Sequence, residues 1–432
     1  MIMTISDLYE IYCQHPVVTT DTRDCPEGSI FFALRGTSFN GNDFALKALE
    51  AGCAYAVVDD EAVTGNNRLI HVDDVLKTLQ DLATCHRRRL RIPVIQITGT
   101  NGKTTTKELL SAVLSQKYNV LYTLGNFNNH IGVPKTLLRL RPEHEIAVIE
   151  TGANHPGEIR ELSHITDADC GLITNVGKAH LEGFGSFEGV IRTKGELYDY
   201  LRQKESGFIF LHADNEYLRN ISGDIETFTY GMPGKGYDVE GEVMAGNPFL
   251  HLRWRPAGGE WQEVETHLVG GYNLDNVLAA AAAGIRFGIS PTQISQALAA
   301  YEPTNNRSEL KKTERNELII DAYNANPTSM KAALDNFRLM PANHKMAILG
   351  EMRELGDASP EEHRHVVELV GKAGCEEVWL VGDNFRPFAG TYRVFDNVEA
   401  VRKHLEDHPV SGRLILIKGS NGTRLFRLPE LL

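Results

Sequence analysis

The chain has 432 residues, of which 42% are hydrophobic and 23% charged, and its formal net charge is 44 − 57 = −13. That length exceeds what one hydrophobic core comfortably organises and points to roughly two to four domains, with three as the working number; the composition is that of a fully folded globular protein. The negative charge argues against a nucleic-acid backbone as partner, because such binding needs clustered Lys and Arg, while small anions are still admissible in local basic pockets.

The stretch Met1 to Gln14 holds Asp7 and Glu10 and no basic region ahead of an apolar run, so a secretory signal is not expected. A first segment, 1–89, alternates short strand-like runs (Ser29 to Leu34, Tyr55 to Val58) with a helical stretch, Asp43 to Ala51, and reads as a small α/β domain. It ends in the basic run His86 to Arg91, taken as a solvated linker. A second segment, 90–302, opens on the apolar strand Val94 to Thr98, passes a Gly-rich turn and enters a helix, Lys103 to Ser115. Strands at Ile146 to Glu150 and Gly171 to Asn175 follow, as in a parallel sheet covered by helices on both faces. Phe208 to Leu268 is β-rich and reads as an appended sheet; the Ala-rich Val277 to Ile285 reads as a buried helix. The third segment, 303–432, alternates again: strands Leu318 to Asp321, Met346 to Leu349, Val378 to Val381 and Leu414 to Ile417, with a helix after Pro327, in a Rossmann-like pattern. No apolar run approaches the roughly 18 residues of a membrane helix. The six scattered cysteines form no metal-ligand spacing and fit a reducing cytoplasm.

Ligands of open α/β sheets sit at the carboxyl ends of the strands, and the candidate motifs fall there. Gly99-Thr100-Asn101-Gly102-Lys103-Thr104-Thr105, between a buried strand and a helix, is a phosphate-cradling loop: its N–H groups and helix dipole would surround phosphate oxygens, Lys103 would neutralise the β and γ phosphates, and the Thr104 hydroxyl would meet Mg2+. Its first glycine lies three residues before Gly102, closer than in the common G-x-x-x-x-G-K-[ST] spacing, which marks a particular branch of such enzymes. Alone it says only that ATP or GTP binds. Glu150 ends its strand beside this loop and reads as a Mg2+ ligand, against the plainer reading of a capping or surface glutamate. His180, taken alone, is an ordinary structural histidine, and Mg2+ prefers oxygen; Lys194, taken alone, is a helix-surface charge beside Glu196. Asn326 and Pro327 form an N-cap and first-turn pair, leaving Asp321, Tyr323 and Asn324 at a strand-end cleft. Asn126, Asn128 and Asn129 suit either a plain loop or recognition of an amide-bearing substrate.

In this order, from the first segment to the last, these motifs resemble the Mur ligase family. Gly99 to Thr105, Glu150-Thr-Gly, Asn175-x-Gly-x-Ala-His180 and Thr193-Lys194-Gly-Glu196 are similar to its ATPase core. Asn273 and Asn276 in Gly271-Tyr-Asn-Leu-Asp-Asn276, and Arg307 after Pro303-Thr-Asn-Asn306, are similar to its nucleotide contacts. Asp321-Ala-Tyr-Asn-Ala-Asn-Pro327 and Asn126-Phe-Asn-Asn-His-Ile-Gly-Val-Pro134 resemble the branch that adds D-alanyl-D-alanine to a UDP-N-acetylmuramoyl-tripeptide in peptidoglycan precursor synthesis. The resemblance implies an α/β chain of three domains: a small N-terminal domain for the UDP end, a central P-loop ATPase domain, and a C-terminal Rossmann-like domain for the dipeptide.

It further implies two Mg2+ ions, one held by Thr104 and Glu150 and a second by His180 and a carbamylated Lys194, whose carbamate would supply hard oxygens. Asn273, Asn276, Arg307 and Asp321 would grip ATP, and Asp21-Thr22-Arg23 the UDP end, with Thr22 where the family usually has Ser and Tyr272 where it usually has His. Asn126, Asn128, Asn129, Tyr323, Asn324 and Asn326 would meet the peptide substrates, and the turns Leu349 to Leu355 and Lys418 to Ser420 either hold the dipeptide or are ordinary strand-to-helix turns. The implied enzyme is a monomeric cytoplasmic ligase. It would phosphorylate a carboxylate with ATP and let an amine displace phosphate, Lys103 and Mg2+ offsetting the repulsion between anions. A related ligase, such as a folate polyglutamate ligase, and a nucleotide-driven switch are the competing readings.

Overall fold

A computed structural model describes residues 3–303 and 307–432; Thr304, Asn305 and Asn306, which the motif before Arg307 includes, lie outside the described residues. Three sheets divide them. The first is parallel and four-stranded, β1 (Val18–Thr19), β2 (Ile30–Phe32), β3 (Tyr55–Val58) and β4 (Leu69–His71), in that order.

The second sheet has nine strands. They are β5 (Val94–Thr98), β6 (Val120–Tyr122), β7 (Ile146–Glu150), β8 (Cys170–Ile173), β9 (Phe208–His212), β10 (Glu226–Gly231), β11 (Val239–Ala245), β12 (Phe249–Pro256) and β13 (Gln262–Val269). The spatial order is β13-β12-β11-β10-β9-β8-β5-β7-β6. Every residue of β5, β7 and β8 is buried, which accounts for their unbroken apolar runs. The β-rich stretch expected as an appended sheet instead extends this one, because β9 pairs in parallel with β8 and carries the ladder onward. Only β12 and β13 add to it antiparallel, with alternating burial on β13.

The third sheet is β14 (Glu309–Lys312), β15 (Glu317–Asp321), β19 (Leu414–Lys418), β16 (Lys345–Gly350), β17 (Glu377–Val381) and β18 (Arg393–Phe395), parallel except for the edge strand β14. The edge strand has no apolar alternation in Glu309-Leu-Lys-Lys312, and so left little trace in the sequence. The Asn326-Pro327 pair starts the helix Pro327–Leu339 as expected, the Asn326 side chain accepting from Ser329 N at 2.9 Å.

The basic run is not a solvated linker. It is the last turns of the helix Val75–Leu90, and His86 and Arg87 are buried. Tertiary partners override the run's polarity: His86 sits between the Tyr9 hydroxyl at 3.2 Å and the Leu140 carbonyl at 3.0 Å, and Arg87 donates to Asp169 at 2.5 Å. The same helix packs on the first sheet's apolar face and on the helices Gly132–Leu137 and Glu158–Thr166, so the first segment and one face of the central sheet share a single apolar core. Tyr12 donates to the Leu138 carbonyl at 2.5 Å and Arg141 to the Pro16 carbonyl at 2.6 Å along that seam.

Asp169→Ala would leave the buried Arg87 guanidinium without its carboxylate and free the N–H of Val94 at the start of β5. Since Asp169 is itself half-exposed, urea titration should show a loss of about 2 kcal/mol, below the usual cost of breaking a fully buried pair.

Candidate functional site

Beyond β5 the chain turns through Gly99 (φ +144°) and Gly102 (φ +77°) into the helix Lys103–Leu114. Both positions require glycine. A Cβ on Gly99 would lie 2.0 Å from Thr174 Oγ1 and one on Gly102 2.4 Å from Asn276 Oδ1. The loop is held from outside: Asn101 N donates to Asn175 Oδ1 at 3.0 Å, and Thr174 Oγ1 donates to the Asn101 carbonyl at 2.6 Å. Thr106 donates to Asn276 Oδ1 at 3.0 Å, and Asn276 donates in turn to Asn273 Oδ1 at 2.9 Å. Asn273 and Asn276 therefore brace the loop as well as face the cavity beside it.

That cavity, about 660 Å³, gathers most of the expected residues. Thr100 to Thr105 form its floor, and Glu150, His180 and the amides Asn126, Asn128 and Asn129 rise beside them. Tyr272, Asn273 and Asn276 line another side, and Arg307, Asp321, Tyr323 and Asn324 close it from the third segment.

Lys103 is folded back on its own loop, its Nζ donating to the Gly99 carbonyl at 2.8 Å and the Thr100 carbonyl at 3.1 Å. Desolvation pulls its pKa down to about 8, against the pull of Glu150 and with the Arg307 charge adding to the depression. Glu150 is buried; Asn128 donates to its Oε1 at 2.8 Å, and its Oε2 has no hydrogen-bond partner. A buried carboxylate oxygen without a donor is costly, and with the buried Thr104 hydroxyl nearby it makes a hard-oxygen pair suited to Mg2+.

Lys194 does not line the cavity but lies behind Ala153, which does. It is only 2% exposed, its Nζ 3.5 Å from the Ala153 carbonyl and 5.3 Å from the centre of the Phe184 ring. Burial, reinforced by the charge on Lys103, lowers its pKa to about 7. The helix-surface reading of Lys194 does not hold. His180 stands in left-handed backbone (φ +49°) and faces Glu354, itself at φ +62°, across the gap to the third segment. Burial lowers its proton affinity; Glu354 opposes this, and Lys103 and Lys194 add to it.

From the third segment, the Arg307 guanidinium lies 3.9 Å over the Tyr323 ring, with Nε buried and unpartnered. Asp321 pairs with the buried Lys418 at 2.6 Å, and Lys418 also donates to the Asn324 carbonyl at 3.2 Å. Asn326 lies outside the lining: its Nδ2 donates to Asn101 Oδ1 at 2.7 Å, joining the third segment to the phosphate loop. Lys178 and Glu362 pair at 2.8 Å across the same gap. Asp21 and Arg23 pair with each other at 2.7 Å, exposed, past the end of β1, and neither they nor Thr22 line the cavity.

Sequence reasoning quoted Asn175 and Asp275 only as members of longer motifs, with no role of their own, and passed over Glu158 and Ser308; all four line it. Asn175 could have been found from its strand end and Asp275 from its place between Asn273 and Asn276. For Glu158 and Ser308 no local signal existed.

Residues 16–93 match the model described as "Mur ligase family, catalytic domain", 97–284 "Mur ligase middle domain", and 306–421 "Mur ligase, glutamate ligase domain". The UDP-N-acetylmuramoyl-tripeptide–D-alanyl-D-alanine ligase of Bacillus subtilis (strain 168) is 36% identical over 423 residues, 94% of this chain and 91% of its own. The chain belongs to the Mur ligase family. Among solved structures, MurF from Acinetobacter baumannii superposes with a TM-score of 0.86 at 30% identity, over 96% of this chain and 92% of that one. The MurF ligase from Thermotoga maritima in complex with ADP gives a TM-score of 0.85 at 26% identity, over 96% of each. As a Mur ligase the chain is of the MurF type, an ATP-dependent ligase in three domains.

Lys103 carries its charge below about pH 8 and loses it above, so its attraction for phosphate should fade as pH rises through that value. The KM for ATP should therefore climb between pH 8 and 9.5. A KM flat across that range, with the chain still folded, would contradict the placement of Lys103 at the phosphates.

Proposed function

We propose that this chain joins D-alanyl-D-alanine to the terminal carboxylate of a UDP-N-acetylmuramoyl-tripeptide at the expense of ATP, through an acyl phosphate. The observation that carries this reading is the single cavity in which a phosphate loop, the partnerless oxygen of Glu150 and the third segment's Arg307 and Asp321 converge. The B. subtilis relative's name states that same reaction.

The cavity's own residues account for the steps. The loop N–H groups and Lys103 hold the triphosphate, and Arg307 brings a further positive charge to the same cavity from the third segment, so the transferring phosphoryl group meets preplaced positive charge. Asn273, Asn276 and Asp321 orient the nucleotide. Asn126, Asn128 and Asn129 offer amide donors and acceptors to the peptide carrying the carboxylate, and Tyr323 and Asn324 face the incoming amine from the third domain. The amine displaces phosphate through a tetrahedral intermediate, and the contacts Asn101–Asn326 and Lys178–Glu362 close the cleft so that water does not reach the acyl phosphate first. Asp21, Thr22 and Arg23 hold the UDP end away from the cavity, as a long extended substrate requires. Domains 1–89, 90–302 and 303–432 thus take UDP-peptide, ATP and dipeptide respectively.

Thr104 and Glu150 would hold one Mg2+, and His180 with Lys194 a second. Bound there, Mg2+ would offset charge on the phosphates. With its pKa lowered to about 7 by burial, Lys194 offers a substantial neutral fraction near pH 7, as carbamylation by CO2 requires. All these residues belong to one chain, so a monomer suffices. Among the described residues no helix is long and apolar enough to cross a membrane, and the six cysteines are free; an ATP-rich reducing cytoplasm is the setting proposed.

The test is phosphate release from ATP and Mg2+ with UDP-N-acetylmuramoyl-tripeptide, with and without D-alanyl-D-alanine, the product followed by mass. One joined product per phosphate, dependent on dipeptide, is expected; release without joining would return the switch reading. Lys103→Ala should abolish turnover. Lys194→Ala should be inactive and partly restored by short-chain carboxylic acids, and failure of that rescue would count against the carbamate.

A further inference from the structure

Tyr272 lines the cavity and reaches from the central domain to the start of the third. Gly270 makes room for it: at φ +95° its own Cβ would lie 2.4 Å from the Tyr272 ring, so only a glycine lets the ring turn back over the chain. The ring is 38% exposed, and its hydroxyl lies 2.8 Å from Ser308 Oγ. Ser308 is the residue after Arg307, buried, and held at φ +52°. A residue with a Cβ persists in that left-handed conformation only where its surroundings fix it. On the other side of Ser308, Glu309 begins β14, which is tied by its ladder to β15 and hence to Asp321.

Arg307 is thereby pinned between two constraints. Its guanidinium lies on the Tyr323 ring, and its backbone is set by the turn that Ser308 makes. A change of Ser308 from the left-handed to the right-handed region would redirect the chain next to Arg307 and so displace its side chain. We propose that Tyr272 is a positioning residue, whose hydroxyl holds Ser308 in its left-handed turn across the domain junction and so keeps Arg307 aimed at the phosphate end of the cavity. The role rests on the reading above that Arg307 meets the phosphates of ATP. A phenol does this without adding charge to a cavity already crowded with cations, since it brings a hydroxyl to Ser308 from a rigid ring.

The full chain carrying Tyr272→Phe, Ser308→Ala, both together, or Ser308→Gly would be compared with wild type in kcat/KM for ATP, KM for the dipeptide, and Tm. Loss of one hydrogen bond should lower kcat/KM for ATP roughly 3- to 10-fold in each single variant. The double variant should fall no further than either single one, because both remove the same bond. Ser308→Gly, which takes up the left-handed turn without needing the bond, should lose less than Ser308→Ala, and the KM for the dipeptide should not move. If Tyr272→Phe lowers Tm, Ser308→Ala and Ser308→Gly still decide the matter, since neither touches the ring. Arg307→Ala serves as the control and should cost roughly 100-fold or more. An Arg307→Ala variant close to wild type would remove the underlying reading. A collapse in Arg307→Ala beside an undiminished Tyr272→Phe, or single losses that multiply in the double variant, would overturn the positioning role alone.

Discussion

Positive charge held out of water organises this molecule. Lys103 and Arg307 line one cavity and Lys194 lies just behind its wall, and their fields act on one another: Arg307 depresses Lys103, Lys103 depresses Lys194, and both lysines depress His180. Opposite them stands Glu150, with one carboxylate oxygen left without a donor. Such an arrangement is poorly stabilised by itself, and the phosphates of ATP bring the negative charge that the cations lack. The buried β5, β7 and β8 exist, in this sense, to hold those groups rigidly where water cannot relax them. Strain at the rim has the same character, since His180, Ser308 and Glu354 all occupy left-handed backbone around the junction that closes over the cavity.

The two junctions within the chain differ in kind. The first segment shares a continuous apolar core with the central sheet, sealed by Tyr12, His86, Arg87 and Arg141. The third segment meets the central one mainly through side-chain polar contacts, Asn101 with Asn326, Lys178 with Glu362, His180 with Glu354 and Tyr272 with Ser308, together with a small apolar contact at Val269. Polar pairs of this sort exchange readily with water, whereas an apolar core does not. The asymmetry suits a ligase in which one domain must part from the others to admit and release ligands.

Much of this was legible in the sequence because the signals were local. Gly99 to Thr105 lies between a five-residue buried strand and a helix, and Glu150 closes an apolar run, so strand-end chemistry placed both. The third segment's strands likewise appeared as short apolar runs at Leu318, Met346, Val378 and Leu414. What escaped was decided at long range. Lys194 looked like a surface lysine because nothing near it in the chain says that Ala153 and Phe184 will cover it. The polarity of His86 to Arg91 suggested solvent, yet Tyr9 and Asp169, some 77 and 82 residues distant, took two of those side chains inside. Asn326 was split between helix cap and substrate contact, and its amide turned out to reach Asn101, 225 residues away. The family resemblance supplied roles for His180 and Lys194 that residue-level reading could not.

The helix Val75–Leu90 has a further meaning for how such chains diversify. One of its faces completes the small first sheet and the other seats against helices of the central domain, so it belongs to two units at once. A first domain recombined from a distant homologue would bring a helix whose outer face had been shaped by a foreign neighbour. Exchange of whole modules is therefore hindered at this seam, and variation in the first domain is left to the loops beyond its strand ends, where a change disturbs no shared core.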